Sequence, residues 1–258
     1  MEPHPKKTAW VVGASSGLGA ALAVRLANEG YAVALSARRL KLLDELASKH
    51  ENMEAFPLDV SDFAAVADCA ASVINRFGHV NLFVYCAVVG GKNGGMHNAL
   101  VEGLNVGLLG ASAALEPIIK SMQQQKCGHI ALIGSPVGFR ALPGTGSYGT
   151  VKSALHYFAE KLKIELSPSD IDVQVILPGF VDTALTKRNT FPMPFLMSID
   201  EATDRIWRGL QKPKRFKIAF PHRLIWPMRI LSALPDGIYH KLMRLLGARI
   251  SEDKMGKK

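Results

Sequence analysis

Val11-Val12-Gly13-Ala14-Ser15-Ser16-Gly17-Leu18-Gly19 is the stretch on which the reading of the fold turns. The apolar run Ala9–Val12 leads into it, and apolar residues at helical spacing begin at its last glycines. Glycines at such a junction keep side chains out of the way where backbone must approach a ligand. Free N–H groups and the positive end of a helix dipole then face whatever anion sits there. A strand that passes through such a turn into a helix opens a βαβ unit and predicts a parallel sheet.

The rest of the chain continues that alternation. Strands are predicted at Ala9–Val12, Ala32–Ser36, Met53–Pro57, Leu82–Ala87, His129–Gly134, Asp172–Leu177 and Lys217–Phe220. Helices are predicted near Gly17–Glu29, Arg39–Lys49, Asp62–Phe77, Asn98–Met122, Tyr148–Leu166 and Ile199–Leu210. The expected architecture is α/β: one doubly wound, Rossmann-type domain whose seven parallel strands carry helices on both faces. Residues 1–220 form the nucleotide-binding catalytic unit, and residues 221–258 are a basic amphipathic extension of the same domain. There is no internal repeat, low-complexity tract or long linker.

At 258 residues, 48% of them hydrophobic and 21% charged, the chain can bury one full core. Met1 to Thr8 show no cleavage-site pattern, so a secretory signal is not expected. Cys69, Cys86 and Cys127 have neither disulfide nor metal-ligand spacing, which predicts no metal and a reducing, cytoplasmic setting. The formal charge of +9 is uneven: Arg205 to Lys258 hold fourteen lysines and arginines against three acids, and the remainder is near neutral.

The second strand ends in Leu35-Ser36-Ala37-Arg38-Arg39. An acidic residue at that point would hold the ribose hydroxyls of NAD; Ala37 stands there instead, and guanidinium groups follow that can pair with a 2′-phosphate. NADP(H) is therefore the preferred cofactor, with NAD(H) the alternative, and Arg38 and Arg39 are the residues that select it. Exposed arginines at a helix start remain the structural alternative.

Tyr148 and Lys152 are four apart on a predicted helix and share a face, and Ser135 ends the strand thirteen residues before Tyr148. An ammonium beside a phenol favours its ionised form. That makes Tyr148 a candidate general acid and base, Lys152 the group that tunes it, and Ser135 a donor to the oxygen of a carbonyl. Tyr157 and Lys161 repeat the spacing, but the residue thirteen before Tyr157 is Gly144, which has no hydroxyl. Tyr157 is expected to be helix packing.

With these residues in place the chain resembles the short-chain dehydrogenase/reductase family over nearly its whole length. The family's glycine motif resembles Gly13 to Gly19, so Gly13, Ser15, Ser16, Gly17, Leu18 and Gly19 are implied to hold the pyrophosphate. Its Asp-Val pair looks like Asp59-Val60, implying that Asp59 contacts the adenine amino group. Its helix-four asparagine corresponds to Asn105, implied to hold a water that relays protons to Lys152. Its Ser, Tyr and Lys map onto Ser135, Tyr148 and Lys152, with Lys152 also on the nicotinamide ribose. Its Pro-Gly and following threonine resemble Pro178-Gly179 and Thr183. Two positions depart from the family: Val12 replaces a threonine, and Tyr85-Cys86-Ala87-Val88 keeps only Ala87 of Asn-Asn-Ala-Gly, with Gly90 and Gly91 available to relocate the bend. The resemblance also implies a homodimer or homotetramer.

Thr183 to Ser198, with Phe191-Pro192-Met193-Pro194-Phe195-Leu196-Met197, is an apolar lid candidate and, with Leu142, predicts a lipophilic carbonyl or alcohol as substrate. Beyond it, Arg223 to Arg249 mix apolar and basic residues, ending in a helix capped by Asp236 and stopped by Gly247, with Ile238, Leu242, Leu245 and Leu246 on one face. That pattern suits a membrane interface, a pocket cover or a subunit contact; Pro227, Pro235 and the charges exclude a span of about 20 apolar residues. Nucleic-acid binding is not expected, since no reading module accompanies the charge. The alternative to an enzyme is a catalytically silent NADP-binding regulatory or scaffold protein.

Overall fold

The computed structural model describes residues 7–89, 95–189 and 191–255. In chain order the first half is β1 (Thr8–Val12), α1 (Gly17–Asn28), β2 (Ala32–Ala37), α2 (Leu40–Ala47), β3 (Met53–Pro57), α3 (Phe63–Phe77), β4 (Leu82–Tyr85), α4 (Gly95–Leu104) and, after a π turn at Asn105–Leu109, α5 (Gly110–Gln125). The second half is β5 (Gly128–Ile133), α6 (Gly146–Glu165), β6 (Ile171–Pro178), α7 (Ile199–Leu210), β7 (Lys217–Phe220), α8 (His222–Ser232) and α9 (Asp236–Met255). The strands form one parallel sheet in the order β3-β2-β1-β4-β5-β6-β7.

Alternation along each strand divides the core. In β1, Trp10 and Val12 face α3, α5 and α6, while Ala9 and Val11 face α1, α2 and α7. With both faces covered, the central strands read as continuous apolar runs. Winding reverses between β1 and β4, which opens a crevice at the carboxyl ends of those two strands. Every loop that follows a strand opens on that same edge of the sheet.

Several boundaries differ from expectation. The helix predicted over Asn98–Met122 runs from Gly95 to Gln125 and is interrupted by the π turn. The cause lies on another strand: the buried Tyr85 hydroxyl donates to the Val106 carbonyl at 2.5 Å, taking an acceptor that a regular helix would use itself. By length and apolarity Gly95–Gln125 could cross a membrane, yet Ala111, Ala114, Ile118 and Met122 of this run are fully buried in the core. β4 stops at Tyr85 rather than Ala87: Cys86 still gives its N–H to the Val12 carbonyl at 2.7 Å, but beyond it Ala87 meets the turn at Gly13, where β1 has ended. Gly90 and Gly91, offered as a relocated bend, lie outside the described residues.

α9 does not stop at Gly247 but continues to Met255. A lone glycine costs a helix about 1 kcal/mol and does not end it without a following breaker. Tyr157, expected to pack within the fold, is instead 76% exposed.

Candidate active site

The crevice holds a cavity of about 310 Å³ whose floor is the glycine loop. Gly13 sits at φ +92, and a Cβ there would lie 2.7 Å from the Ala87 nitrogen. One on Gly19 would lie 2.2 Å from the Gly13 carbonyl oxygen. These two glycines let β1, α1 and the end of β4 meet, while Gly17, at φ +58, opens toward Thr183. The N-terminus of α1 receives no side-chain cap, so its first N–H groups remain for a ligand.

At the far end of β2, Arg39 donates to both loop serines, at 2.8 Å to Ser15 and 2.6 Å to Ser16. Arg38 lies 3.9 Å from Asp59. Burial would raise the Asp59 carboxyl, but the N–H and hydroxyl of Ser61 and the Arg38 charge outweigh it and hold the group below the usual carboxylate range.

The opposite wall carries the chemistry. β5 delivers Ser135, which opens a short 3-10 turn at Pro136–Gly138 and is itself nearly buried. α6 begins at Gly146 and places Tyr148 and Lys152 one turn apart on the side facing β5. Ser135 and Tyr148 line the same cavity wall, and the Ser135 Oγ accepts the Val137 N–H at 3.4 Å. Lys152, only 4% exposed, donates to the Ile133 carbonyl at 2.7 Å, and its ammonium lies 5.7 Å from the centre of the Tyr148 ring. Burial brings Lys152 down to about 8, and burial pushes Tyr148 up, an effect the Ser135 hydroxyl partly offsets. The expectation that Lys152 depresses the Tyr148 phenol is thus corrected: with the ammonium turned to Ile133, burial decides, and the phenol keeps its proton at neutral pH.

Gly13, Ser15, Ser16, Gly17, Leu18, Gly19, Arg38, Arg39, Asp59, Val60, Ala87, Ser135, Tyr148, Lys152, Pro178, Gly179 and Thr183 all line this one cavity. Asn105 does not; at the head of the π turn it lines a neighbouring recess with Arg38, Ser61 and Asn98. Of the lid candidate Thr183 to Ser198, residues Thr183, Ala184, Leu185 and Thr186 line the cavity, but its aromatic stretch does not. Phe191, Phe195 and Leu196 are half exposed outside the cavity, while Val88, Val89, Ile133, Val181 and Leu185 supply its apolar wall.

His156 was not anticipated. It lies one turn beyond Lys152, and its Nε2 accepts the Ser135 N–H at 3.4 Å. A Cβ on either Gly134 or Gly138 would come within 2.7 Å of the His156 ring, so both glycines make room for it. Burial first, and then the charges of Lys152 and Lys217, bring His156 down to about 4, which keeps it neutral and able to accept. The sequence signal was the repeat of helical spacing Tyr148, Lys152, His156.

A sequence profile described as short chain dehydrogenase matches residues 7–192. The chain belongs to the short-chain dehydrogenase family. An uncharacterised oxidoreductase of Myxococcus xanthus is 34% identical over 247 residues, spanning 93% of this chain and 97% of that one. A short-chain dehydrogenase from Streptomyces avermitilis superposes with a TM-score of 0.78 at 23% identity, covering 98% of this chain and 99% of its own. An alcohol dehydrogenase from the archaeon Thermococcus sibiricus, solved with 5-hydroxy-NADP, superposes at 0.71 with 28% identity, covering 83% and 94%. Membership places this short-chain dehydrogenase among nicotinamide-dependent oxidoreductases.

Proposed function

We propose that the cleft reduces a lipophilic ketone or aldehyde with NADPH, reversibly, with Tyr148 as general acid. One observation carries this reading: Ser135 and Tyr148 line one glycine-floored cavity, close enough for the serine to offset part of the burial cost on the phenol, with the Lys152 ammonium buried beside them. The residues present fit a dinucleotide, because a Cβ on Gly13 or Gly19 would close the cradle and the α1 N–H groups are uncapped. The loop from Gly13 to Gly19 would hold the pyrophosphate, Arg38 and Arg39 a 2′-phosphate, Asp59 and Val60 the adenine, and Ala87, Thr183, Tyr148 and Lys152 the nicotinamide riboside. Bound there, NADPH supplies hydride to the carbonyl carbon.

The protein's own part is to steer the oxygen. Ser135 donates to it, and its hydrogen bond strengthens as negative charge grows there. The phenol of Tyr148 gives its O–H proton to the same oxygen, and Ser135 helps to stabilise the phenolate left behind. A phenol keeps its proton at neutral pH, and burial holds it further, so Tyr148 stands ready to donate. Val89, Val181 and Leu185 on the wall support an apolar substrate. Exposed Tyr157 and Ile164 on α6, with Leu109 of the π turn, offer an apolar surface to a second copy of the chain.

A panel of lipophilic carbonyls, run with NADPH and NADH in parallel, tests the reading. Wild type should oxidise NADPH faster than NADH, and Tyr148→Phe should lose about 10²–10⁴-fold in rate. A Tyr148→Phe variant as active as wild type would overturn the assignment.

A further inference from the structure

α8 and α9 rest on the body by a narrow inner edge: Ile225, Tyr239 and Met243 are buried. Their outer sides are apolar as well. Trp226 and Ile230, four apart on α8, are 59% and 65% exposed, and Ile238, Leu242 and Leu245 make an outward stripe on α9 at 58%, 43% and 60%. The face predicted from the sequence to be apolar therefore points to solvent. Arg223, Arg229, Lys241 and Arg244 stand exposed around it, and none of the four forms an ion pair among the described residues. Asp236, an acid at the start of α9, is bound to Arg140.

This surface sits at the mouth of the cleft. α8 follows β7 at the carboxyl edge of the sheet, with Leu224 against Gly179. α9 is tied to the loop between Ser135 and Tyr148: Arg140 donates to the carbonyls of Ser232 at 3.1 Å and Leu234 at 2.5 Å, and Tyr239 donates to the Ala141 carbonyl. Lys212, Lys214 and Arg215 precede β7, at the other edge of the sheet, so they do not belong to this surface.

We propose that the outer face of α8 and α9 docks on an anionic lipid bilayer, with its tryptophan, isoleucines and leucines entering the interface and its cations on headgroup phosphates. Trp and aliphatic residues flanked by Arg and Lys on helices too charged to span are the composition of a segment lying in the plane of a membrane. Charge argues against a second copy as the occupant, because a twofold contact would set these cations against their own counterparts, and Asp236, the acid beside them among the described side chains, is already held by Arg140. Docking by this face turns the cleft mouth toward the lipid.

The test is co-sedimentation of the full chain with vesicles of phosphatidylcholine alone or with roughly 30% phosphatidylserine. Wild type pellets with the anionic vesicles and not the neutral ones, and added salt weakens the binding. The triple variant Ile238→Glu, Leu242→Glu, Leu245→Glu loses about tenfold or more of that binding, while its melting temperature and its turnover of a water-soluble carbonyl stay at the wild-type level. Vesicle binding of this kind needs no chemistry in the cleft, so an inactive wild type that still pellets leaves the docking intact. Should the triple variant melt early, Lys241→Glu with Arg244→Glu, which keeps the apolar stripe, must show the same loss. Undiminished pelleting of either variant overturns the proposal. So does failure to bind anionic vesicles, or a wild-type oligomer that the triple variant dissociates without any vesicle binding.

Discussion

Replacing His156 by glutamine separates its charge from its hydrogen bond, since an amide oxygen can accept the Ser135 N–H but does not titrate. His156 is brought from 6.5 down to about 4 in the fold, by burial and then by Lys152 and Lys217. An unfolded chain therefore binds a proton at this residue below pH 6.5 that the folded chain refuses until about pH 4. In that window the unfolded state holds more protons, so stability must fall as pH falls. The full gap of about 2.5 pKa units corresponds to roughly 3 kcal/mol. Between pH 7 and pH 5 about 2 kcal/mol of it is expressed.

Urea unfolding of wild type and His156→Gln across pH 5 to 8 reads this directly. Other titrating groups, such as His129, are common to both proteins and cancel in the difference. The wild-type curve should drop by about 2 kcal/mol more than the variant's on going from pH 7 to pH 5. Parallel curves would refute the claim that a neutral, buried imidazole supports Ser135.

Four other substitutions test separate parts of the account. Gly17→Ala and Gly30→Ala both place a side chain at positive φ, and each should lower stability by about 1–2 kcal/mol. Only Gly17→Ala puts its methyl on the cleft floor, so it alone should weaken NADPH binding in a fluorescence titration. Arg39→Gln should weaken NADPH about 10–100-fold by loss of a charged hydrogen bond and leave NADH unchanged, as measured by KM for each. Tyr85→Phe strands the Val106 carbonyl and should cost about 1–3 kcal/mol in urea unfolding.

What could be read from the sequence was what neighbours in sequence determine. The turn from Gly13 to Gly19, the end of β2 at Ala37 and the spacing of Tyr148 and Lys152 are local patterns, and the structure gathers these residues at one cavity. Features set by distant contacts were not legible. The π turn depends on a hydroxyl twenty-one residues away, that of Tyr85. Asn105 was assigned to the site from a motif, yet the turn it heads places it in the neighbouring recess. Tyr157, Phe191, Phe195 and Leu196 are apolar enough to suggest packing or a pocket lining, but apolarity alone does not say which surface a side chain meets, and all four are exposed. The shift on Tyr148 also eluded sequence reasoning, because whether Lys152 lowers it depends on where the ammonium points, and it points to Ile133.

The central claim is that the Tyr148 hydroxyl protonates a carbonyl held where hydride arrives. NADPH deuterated at the transferable position, incubated with an accepted lipophilic carbonyl, tests it directly by mass spectrometry of the alcohol. Wild type should place one deuterium on the former carbonyl carbon, and Tyr148→Phe should still bind NADPH yet yield almost no labelled alcohol. Labelled alcohol formed equally by both proteins, or by neither although both bind NADPH, would contradict it.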